Sequence, residues 1–132
     1  TLHSWRATSD VLAAFETHEI PGAILHWYLG TPADVNRAIA HDAYFSVNSA
    51  MFKSSRGRTA ISEMPPNRVL AETDAPHTRV GSAPSRPGQV DSVERSLAKA
   101  WSVDSLEVRI RLWQNYLALQ IVFRPLFTHS KE

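Results

Sequence analysis

The stretch AILHWYLGTPAD, residues 23–34, contains the strand-to-helix unit that decides the fold. Its first three residues, Ala23 to Leu25, form a short apolar run typical of a buried β-strand, and the run ends at His26. Thr31 to Asp34 then supply a helix N-cap, a proline in the first turn and an acid at the third helical position. The helix that follows has one apolar face, formed by Val35, Ala38 and Ile39. The stretch therefore predicts a β-strand joined by a short connection to an amphipathic α-helix.

The same alternation of strand and helix extends over the first half of the chain. Further short apolar runs predict strands at residues 1–2, 43–47 and 68–71. Helices are predicted between them, one from a Ser9 cap to about residue 20 and a short one within residues 56–63. Alternating strands and helices with short connections are typical of parallel βα units, so we predict an α/β fold with a parallel sheet. In such folds the functional residues gather at the carboxyl ends of the strands. The residues that fall at these ends are His3, His26, Asn48 and Asp74.

A long loop and two helices are predicted in the remainder of the chain. Residues 78–89 are rich in Pro, Ser, Gly and Arg, which favours a loop. The first helix after the loop has an apolar face formed by Val90, Val93, Leu97 and Trp101. The second helix is expected to begin at Ser102, its N-cap, and its apolar face is formed by Leu106, Ile110, Trp113 and Leu117. We predict one domain over residues 1–119 and a tail at residues 120–132.

Composition excludes several classes of protein. The 132 residues are 43% hydrophobic, which suits one globular domain. The net charge of +1 gives no general electrostatic reason to wrap nucleic acid, and the absence of cysteine excludes disulfides and thiolate metal sites. No apolar run approaches the roughly 18 residues of a membrane span, and no export signal is visible. We therefore expect no membrane association and a cytoplasmic location.

Histidine and acidic side chains follow the predicted strands. His3 and His26 each end an apolar strand, and ETDAP, residues 72–76, places Glu72 and Asp74 directly after another. Because parallel strands end at one rim, these side chains are expected to converge. Two imidazoles and a carboxylate suit zinc, manganese or nickel, with a position left open for water. The alternative is a polar network that closes one end of the sheet without metal.

Four segments of the chain stand in a recognisable order: LHSWRA (residues 2–7), LHWYLG (25–30), YFSVNSAMFKSS (44–55) and RVLAETDAP (68–76). In this order and spacing they resemble the second half of the TatD family of metal-dependent hydrolases, over about residues 1–119. The resemblance implies the C-terminal half of a TIM-type (β/α) barrel, two divalent metal ions as cofactors, and hydrolysis of phosphodiesters in DNA as the activity. The segments are also similar to the TatD-like nuclease component of the Qat anti-phage defence system, which implies a role in defence and other subunits of that system as partners.

The resemblance also implies roles for single residues. His3 and His26 match histidines that serve one metal. Asp74 matches the carboxylate that binds the other metal and takes the proton from the attacking water. Glu72 is expected to support the metal or the substrate, and a salt bridge with Arg68 or another basic residue is the alternative.

Substrate contacts are expected from residues near these positions. Three basic residues follow the third strand, where a nuclease would bind backbone phosphates, namely Lys53, Arg56 and Arg58. Such runs are also common on solvated surfaces. Trp27 and Tyr28 are candidates for stacking on a base or for packing in the core. His77, which follows Asp74 closely, is expected to contact substrate.

Two features of the family pattern are missing from the chain. The family opens with a His-x-His pair and carries a metal-bridging glutamate on a later strand, and this chain has neither. We therefore expect weak metal binding and little hydrolysis from the chain by itself. It would be a fragment of a complete nuclease, a half that needs a separate N-terminal barrel half, or a catalytically inactive interaction module; the intact remaining motifs favour the first. A hydrolase of amides or esters from the same superfamily is a further alternative.

Overall fold

A computed structural model describes residues 1–18 and 20–123 of the chain. One parallel sheet, in the order β1-β2-β3-β4, is formed by β1 (Leu2–His3), β2 (Ile24–His26), β3 (Tyr44–Val47) and β4 (Val69–Ala71). The helices that separate or follow these strands are α1 (Thr8–His18), α2 (Pro32–Ala40), α3 (Ser55–Glu63), α4 (Asp91–Trp101) and α5 (Ser105–Phe123). The predicted α/β fold with a parallel sheet is confirmed.

The hydrophobic core lies between the sheet and its helices. Leu25, Phe45 and Val69 stand side by side on β2, β3 and β4, and all three are fully buried. Burial of a side chain of this kind contributes about 1.5–3 kcal/mol. Because successive strand residues point to opposite faces, the neighbouring His26 and Ser46 lie on the other face of the sheet. Because these three residues are buried on one face, the residue after each of them faces the opposite side of the sheet, where the candidate site lies.

The beginning of α2 has the capping that its sequence predicts. The Asp34 backbone N–H donates to Thr31 Oγ1 at 3.3 Å, and the Thr31 backbone N–H donates to Asp34 Oδ2 at 2.9 Å. Burial opposes ionisation of the Asp34 carboxyl, but the hydrogen bonds from Thr31 and the nearby charges of Arg37 and Arg56 together lower the pKa of Asp34 below its usual value. The ionised carboxylate also interacts favourably with the N-terminal end of the helix dipole.

The predicted buried face of α5 is wrong. The residues that α5 buries are Val108, Leu112, Asn115 and Leu119. The face expected in the core is instead exposed, with 65%, 49%, 58% and 40% of the surface accessible at Leu106, Ile110, Trp113 and Leu117. α5 carries apolar residues on two opposite sides, so their spacing alone does not determine which side meets the core.

Two local predictions in the C-terminal part also need correction. Ser102 ends α4 in the left-handed conformation, with φ of 56°, and does not begin α5. Asp104 accepts the hydrogen bond from the Glu107 backbone N–H at 2.8 Å in its place. The predicted loop at residues 78–89 contains a short antiparallel hairpin, β5 (Arg79–Val80) with β6 (Ala83–Pro84).

Asn115 connects α5 to the last strand of the sheet. Its side-chain amide donates to the carbonyl oxygens of Pro66 at 2.8 Å and Val69 at 2.7 Å. Pro66 opens a short 3₁₀-helix, Pro66–Arg68, that leads directly into β4. The position of β4 therefore depends on α5.

The end of α5 lies beyond the predicted domain boundary. The helix runs past residue 119 to Phe123, and residues 124–132 of the predicted tail lie outside the described residues. Across residues 1–18 and 20–123, no helix is both long and apolar enough to cross a membrane.

Candidate active site

The carboxyl ends of β1, β2 and β4 bring the predicted ligand residues to one rim. The strand register places His3 directly beside His26, and the centroids of the two imidazole rings are 5.3 Å apart. Glu72 and Asp74 follow β4 and both approach His26. The structure thus brings together His3, His26, Glu72 and Asp74.

Glu72 is the centre of a hydrogen-bonded network. Its Oε2 accepts from His26 Nδ1 at 2.6 Å and from the Ser46 hydroxyl, and its Oε1 accepts from Asn48 Nδ2 at 2.9 Å. The alternative salt bridge to Arg68 is wrong, because the Arg68 guanidinium pairs with Asp42 at 2.7 Å. Glu72 therefore serves to orient His26.

Ser46 was not among the residues predicted at the rim, and Asn48 was predicted there without a role, although both hold Glu72. Asn48 is fully buried, and its Oδ1 accepts from the backbone N–H groups of Ala50 at 3.0 Å and Met51 at 3.3 Å, which fixes the amide. Ser46 stands beside His26 in the strand register. The sequence does contain a signal for these two residues. A polar serine lies within the buried strand YFSV, and an asparagine follows two residues later on the same face.

The contact with Glu72 decides which nitrogen of His26 remains available. An ionised carboxylate only accepts hydrogen bonds, so Nδ1 carries the proton, and in the neutral ring Nε2 keeps its lone pair. His26 Nε2 lies 3.5 Å from Asp74 Oδ1. A free imidazole nitrogen and a carboxylate oxygen therefore approach each other at the rim.

The types of donor atom at the rim suit a divalent metal ion, but there are too few of them to complete a coordination shell. A histidine that donates its other ring N–H to a carboxylate is the usual arrangement around a ligating imidazole. Imidazole nitrogen and carboxylate oxygen are ligands of zinc and of related ions. Among the described residues, however, no group of three or more His, Asp or Glu side chains is arranged to hold an ion. The described residues therefore supply part of a coordination site.

Strained backbone surrounds the same site. Of the five described non-glycine residues with positive φ, a conformation that such residues rarely adopt, three lie here, namely Arg6, Trp27 and Asp74, with φ of 59°, 43° and 47°. All three line one cavity of about 790 Å³, together with His3 and His26. Each such residue costs on the order of 1–3 kcal/mol, and clustering of strain is typical of functional sites. The cavity is therefore a candidate substrate site.

The predicted substrate residues divide between this cavity and other surfaces. Arg56 and His77 line the cavity, and Arg56 Nε donates to the Leu29 carbonyl oxygen at 2.6 Å. Lys53 is exposed at the end of the 3₁₀-helix Met51–Lys53. Arg58 instead donates to the Phe52 carbonyl oxygen at 3.0 Å and lines a separate cleft.

The two aromatic candidates have different positions. Trp27 lines the cavity and its ring lies edge-on to His26, with 6.5 Å between centroids. Tyr28 is fully buried against Phe45, and burial raises the pKa of its hydroxyl well above the usual range. Tyr28 is thus a core residue, and only Trp27 is placed to meet a substrate.

Comparison with known proteins identifies the family of the chain. The family described as TatD related DNase has a sequence model that matches residues 1–120. The chain belongs to this family. It is 32% identical over 90 residues to the deoxyribonuclease Tat-D of Schizosaccharomyces pombe, an alignment that covers 66% of this chain and 28% of that protein. It is also 32% identical over 62 residues to the 3'-5' ssDNA/RNA exonuclease TatD of Escherichia coli K12, covering 45% of this chain and 24% of that protein.

Solved structures show the same fold. The TatD homologue YJJV from Escherichia coli K12 superimposes with a TM-score of 0.79 at 24% identity, covering 89% of this chain and 48% of that one. A TatD-family hydrolase from Entamoeba histolytica gives a TM-score of 0.70 at 14% identity, also over 89% and 48%. The chain therefore spans about half the length of these structures and about a quarter of the two nucleases above.

Proposed function

We propose that this chain carries one part of the active site of a metal-dependent nuclease that hydrolyses phosphodiesters in DNA. The observation that carries the proposal is the orientation of His26 by Glu72, which directs Nε2 toward Asp74 Oδ1 at 3.5 Å. In the neutral ring, Nε2 offers a lone pair beside the Asp74 carboxylate, which is an arrangement that a cation between them would stabilise. Membership of the TatD-related DNase family supports the same reaction class.

The proposal gives each side chain at the rim a task. His3 and His26 would be ligands of one divalent ion and Asp74 of a second, with zinc, manganese, magnesium or nickel as candidates. When bound, such an ion lowers the pKa of water and polarises a phosphoryl oxygen. Asp74 accepts the proton of the attacking water, and Glu72 keeps His26 in one tautomer and orientation.

Substrate would lie in the cavity next to the rim. Arg56 and His77 are placed to contact phosphate, and Trp27 offers a ring on which a base can stack. Lys53, which is exposed three residues before Arg56, would approach the DNA backbone from outside the cavity. DNA is therefore the proposed partner of this surface.

Further donors are required because the described residues do not complete a coordination shell. The hypothesis from sequence assigns them to an N-terminal half of the barrel, and this stays a prediction. A role in anti-phage defence, other defence subunits as partners and a cytoplasmic location also stay predictions.

A cleavage assay of the chain joined to an N-terminal barrel half, with a labelled single-stranded DNA oligonucleotide and Mn²⁺, tests the proposal. Chelator-sensitive cleavage is expected. Asp74→Asn is expected to reduce its rate by at least about 100-fold, because it removes the general base. Asp42→Asn is the matched control, since Asp42 is exposed and pairs with Arg68.

Three results would contradict the proposal. Cleavage that persists with chelator or in Asp74→Asn would show that the rim does not carry the reaction. Absence of DNA cleavage by the joined wild-type protein would contradict the nuclease activity. Hydrolysis of a carboxyl ester or a peptide amide, with DNA left intact, would favour the other branch of the superfamily.

A further inference from the structure

Thr78 and Ser85 are the two buried residues of the segment that follows the rim, residues 76–89. Their exposed fractions are 4% and 5%, whereas every other residue of the segment is exposed. A hydroxyl that is removed from water costs free energy unless it forms hydrogen bonds. The contacts of these two side chains therefore show where the segment is anchored.

Both hydroxyls meet at the backbone carbonyl oxygen of Thr73. Thr78 Oγ1 donates to this oxygen, and Ser85 Oγ lies 2.7 Å from Thr78 Oγ1 and 3.2 Å from the oxygen itself. A hydroxyl has one proton to donate, so Ser85 is the donor between the two hydroxyls. The Ser85 backbone N–H also donates to the Thr78 carbonyl oxygen at 2.9 Å, next to the pairing of β5 with β6. The hairpin thus holds the two hydroxyls together at Thr73.

Asp74 lies between two sets of hydrogen bonds. The carbonyl oxygen of Thr73, directly before it, receives the hydroxyls, and its own carbonyl oxygen accepts from the backbone N–H groups of His77 at 2.7 Å and Thr78 at 3.3 Å. Its φ of 47° lies in the left-handed region, where a non-glycine residue persists only if the surrounding structure holds it. The peptide groups on both sides of the Asp74 Cα are therefore held by residues of the segment.

We propose that Thr78 and Ser85 are positioning residues for Asp74. Because the peptide groups before and after Asp74 are held, its side chain starts from a fixed point and keeps Oδ1 beside His26 Nε2, 3.5 Å away. A general base acts only within hydrogen-bond reach of the proton that it accepts, and a displacement of about 1 Å can lower a rate roughly 100-fold. The inference rests on the proposed function for the task of Asp74, but the hydrogen bonds exist without it.

A positioning role differs in its consequences from a role in stability alone. Neither Thr78 nor Ser85 is among the residues that line the substrate cavity. Loss of their hydroxyls is therefore expected to change kcat and the metal concentration that the reaction needs, and to leave KM for DNA unchanged. If the hydroxyls only stabilised the fold, any variant with an equal loss of stability would have the same activity.

Amide hydrogen exchange of the 132-residue chain, without metal or DNA, tests the hydrogen bonds around Asp74. Thr78→Val keeps the shape of the side chain and removes the hydroxyl. The His77 N–H is expected to exchange about 10-fold faster in this variant, because the turn that it closes loses its support. The Tyr44 N–H, which donates to the Ala23 carbonyl oxygen in the sheet, is expected to keep its rate. Thr78→Ser keeps the hydroxyl and is expected to behave as the wild type.

Steady-state kinetics of the chain joined to an N-terminal barrel half test the positioning role. Thr78→Val is expected to lower kcat for single-stranded DNA by about 10- to 100-fold and to raise the Mn²⁺ concentration for half-maximal activity, with KM for DNA unchanged. Thr78→Ser is expected to restore kcat. Ile61→Val is the matched control, because Ile61 is buried on α3 and its truncation lowers stability without changing the rim. Ser85→Ala is expected to act in the same direction as Thr78→Val, and it decides if Thr78→Val does not fold.

Unchanged exchange of the His77 N–H in both Thr78→Val and Ser85→Ala overturns the inference. So does a wild-type kcat in both variants, a Thr78→Ser variant as slow as Thr78→Val, or an equal loss of kcat in Ile61→Val. If the joined protein does not cleave DNA, the proposed function fails, and the exchange of the His77 N–H still decides whether the two hydroxyls hold Asp74. The two proposals can therefore fail separately.

Discussion

Gly57→Ala is expected to lower the free energy of unfolding by about 3 kcal/mol, the upper part of the usual range for overpacking a core. Gly57 lies in the first turns of α3, where it is buried against the 3₁₀-helix Met51–Lys53. A Cβ at this position would overlap the carbonyl oxygen of Met51 and lie 2.8 Å from its carbonyl carbon. Because these atoms belong to the backbone, no side-chain rotation relieves the overlap.

Urea unfolding followed by circular dichroism measures this effect. Thr59→Ala, at an exposed position of the same helix, is the matched control and is expected to change stability by less than about 0.5 kcal/mol. Helix propensity by itself would make Gly57→Ala stabilising by about 1 kcal/mol, so the two effects differ in sign. A stabilised Gly57→Ala variant would contradict the close approach of the two helices.

Asn115→Ala is expected to lower the free energy of unfolding by about 3 kcal/mol, because it removes both hydrogen bonds of a buried amide. The carbonyl oxygens of Pro66 and Val69 would lose their donor where α5 meets β4. β4 leads into Glu72 and Asp74, so we also expect weaker metal binding by the rim.

The adjacent Gln114→Ala is the matched control, since Gln114 is exposed on the same helix. Thermal unfolding of both variants should show a clear loss for Asn115→Ala and little change for Gln114→Ala. Equal stability of the two variants would show that Asn115 does not hold the strand.

The strands and the capping of α2 could be predicted because their causes are local. Ala23 to Leu25 is an apolar run, and the Thr31 and Asp34 side chains bond within one turn of each other. The parallel arrangement followed from alternation, and it placed His3, His26 and Asp74 at one rim before any contact was known. Local pattern therefore determined most of the fold.

The face of α5 and the network around Glu72 could not be predicted because their causes are tertiary. Both sides of α5 are apolar, and the side in the core is the one where Asn115 meets β4. Arg68 was a plausible partner of Glu72 by sequence distance, yet the register directs it to Asp42. The hydrogen bond from Ser46 to Glu72 depends on the pairing of β3 with β4, which local sequence pattern does not predict.

The central claim is that His26 offers Nε2 at the rim while Glu72 holds Nδ1. Imidazole ¹⁵N spectra, recorded while Zn²⁺ is added, test this claim most directly. The expected result is a shift of the His26 Nε2 resonance, with Nδ1 still protonated and with little change at the distant His41. Glu72→Gln is expected to weaken Zn²⁺ binding by about 10- to 100-fold, as loss of such an orienting carboxylate usually does. Glu63→Gln, at an exposed position on α3, should not. A shift of the His26 Nδ1 resonance would contradict the account. Unchanged His26 resonances at a Zn²⁺ concentration that shifts those of His41 would also contradict it.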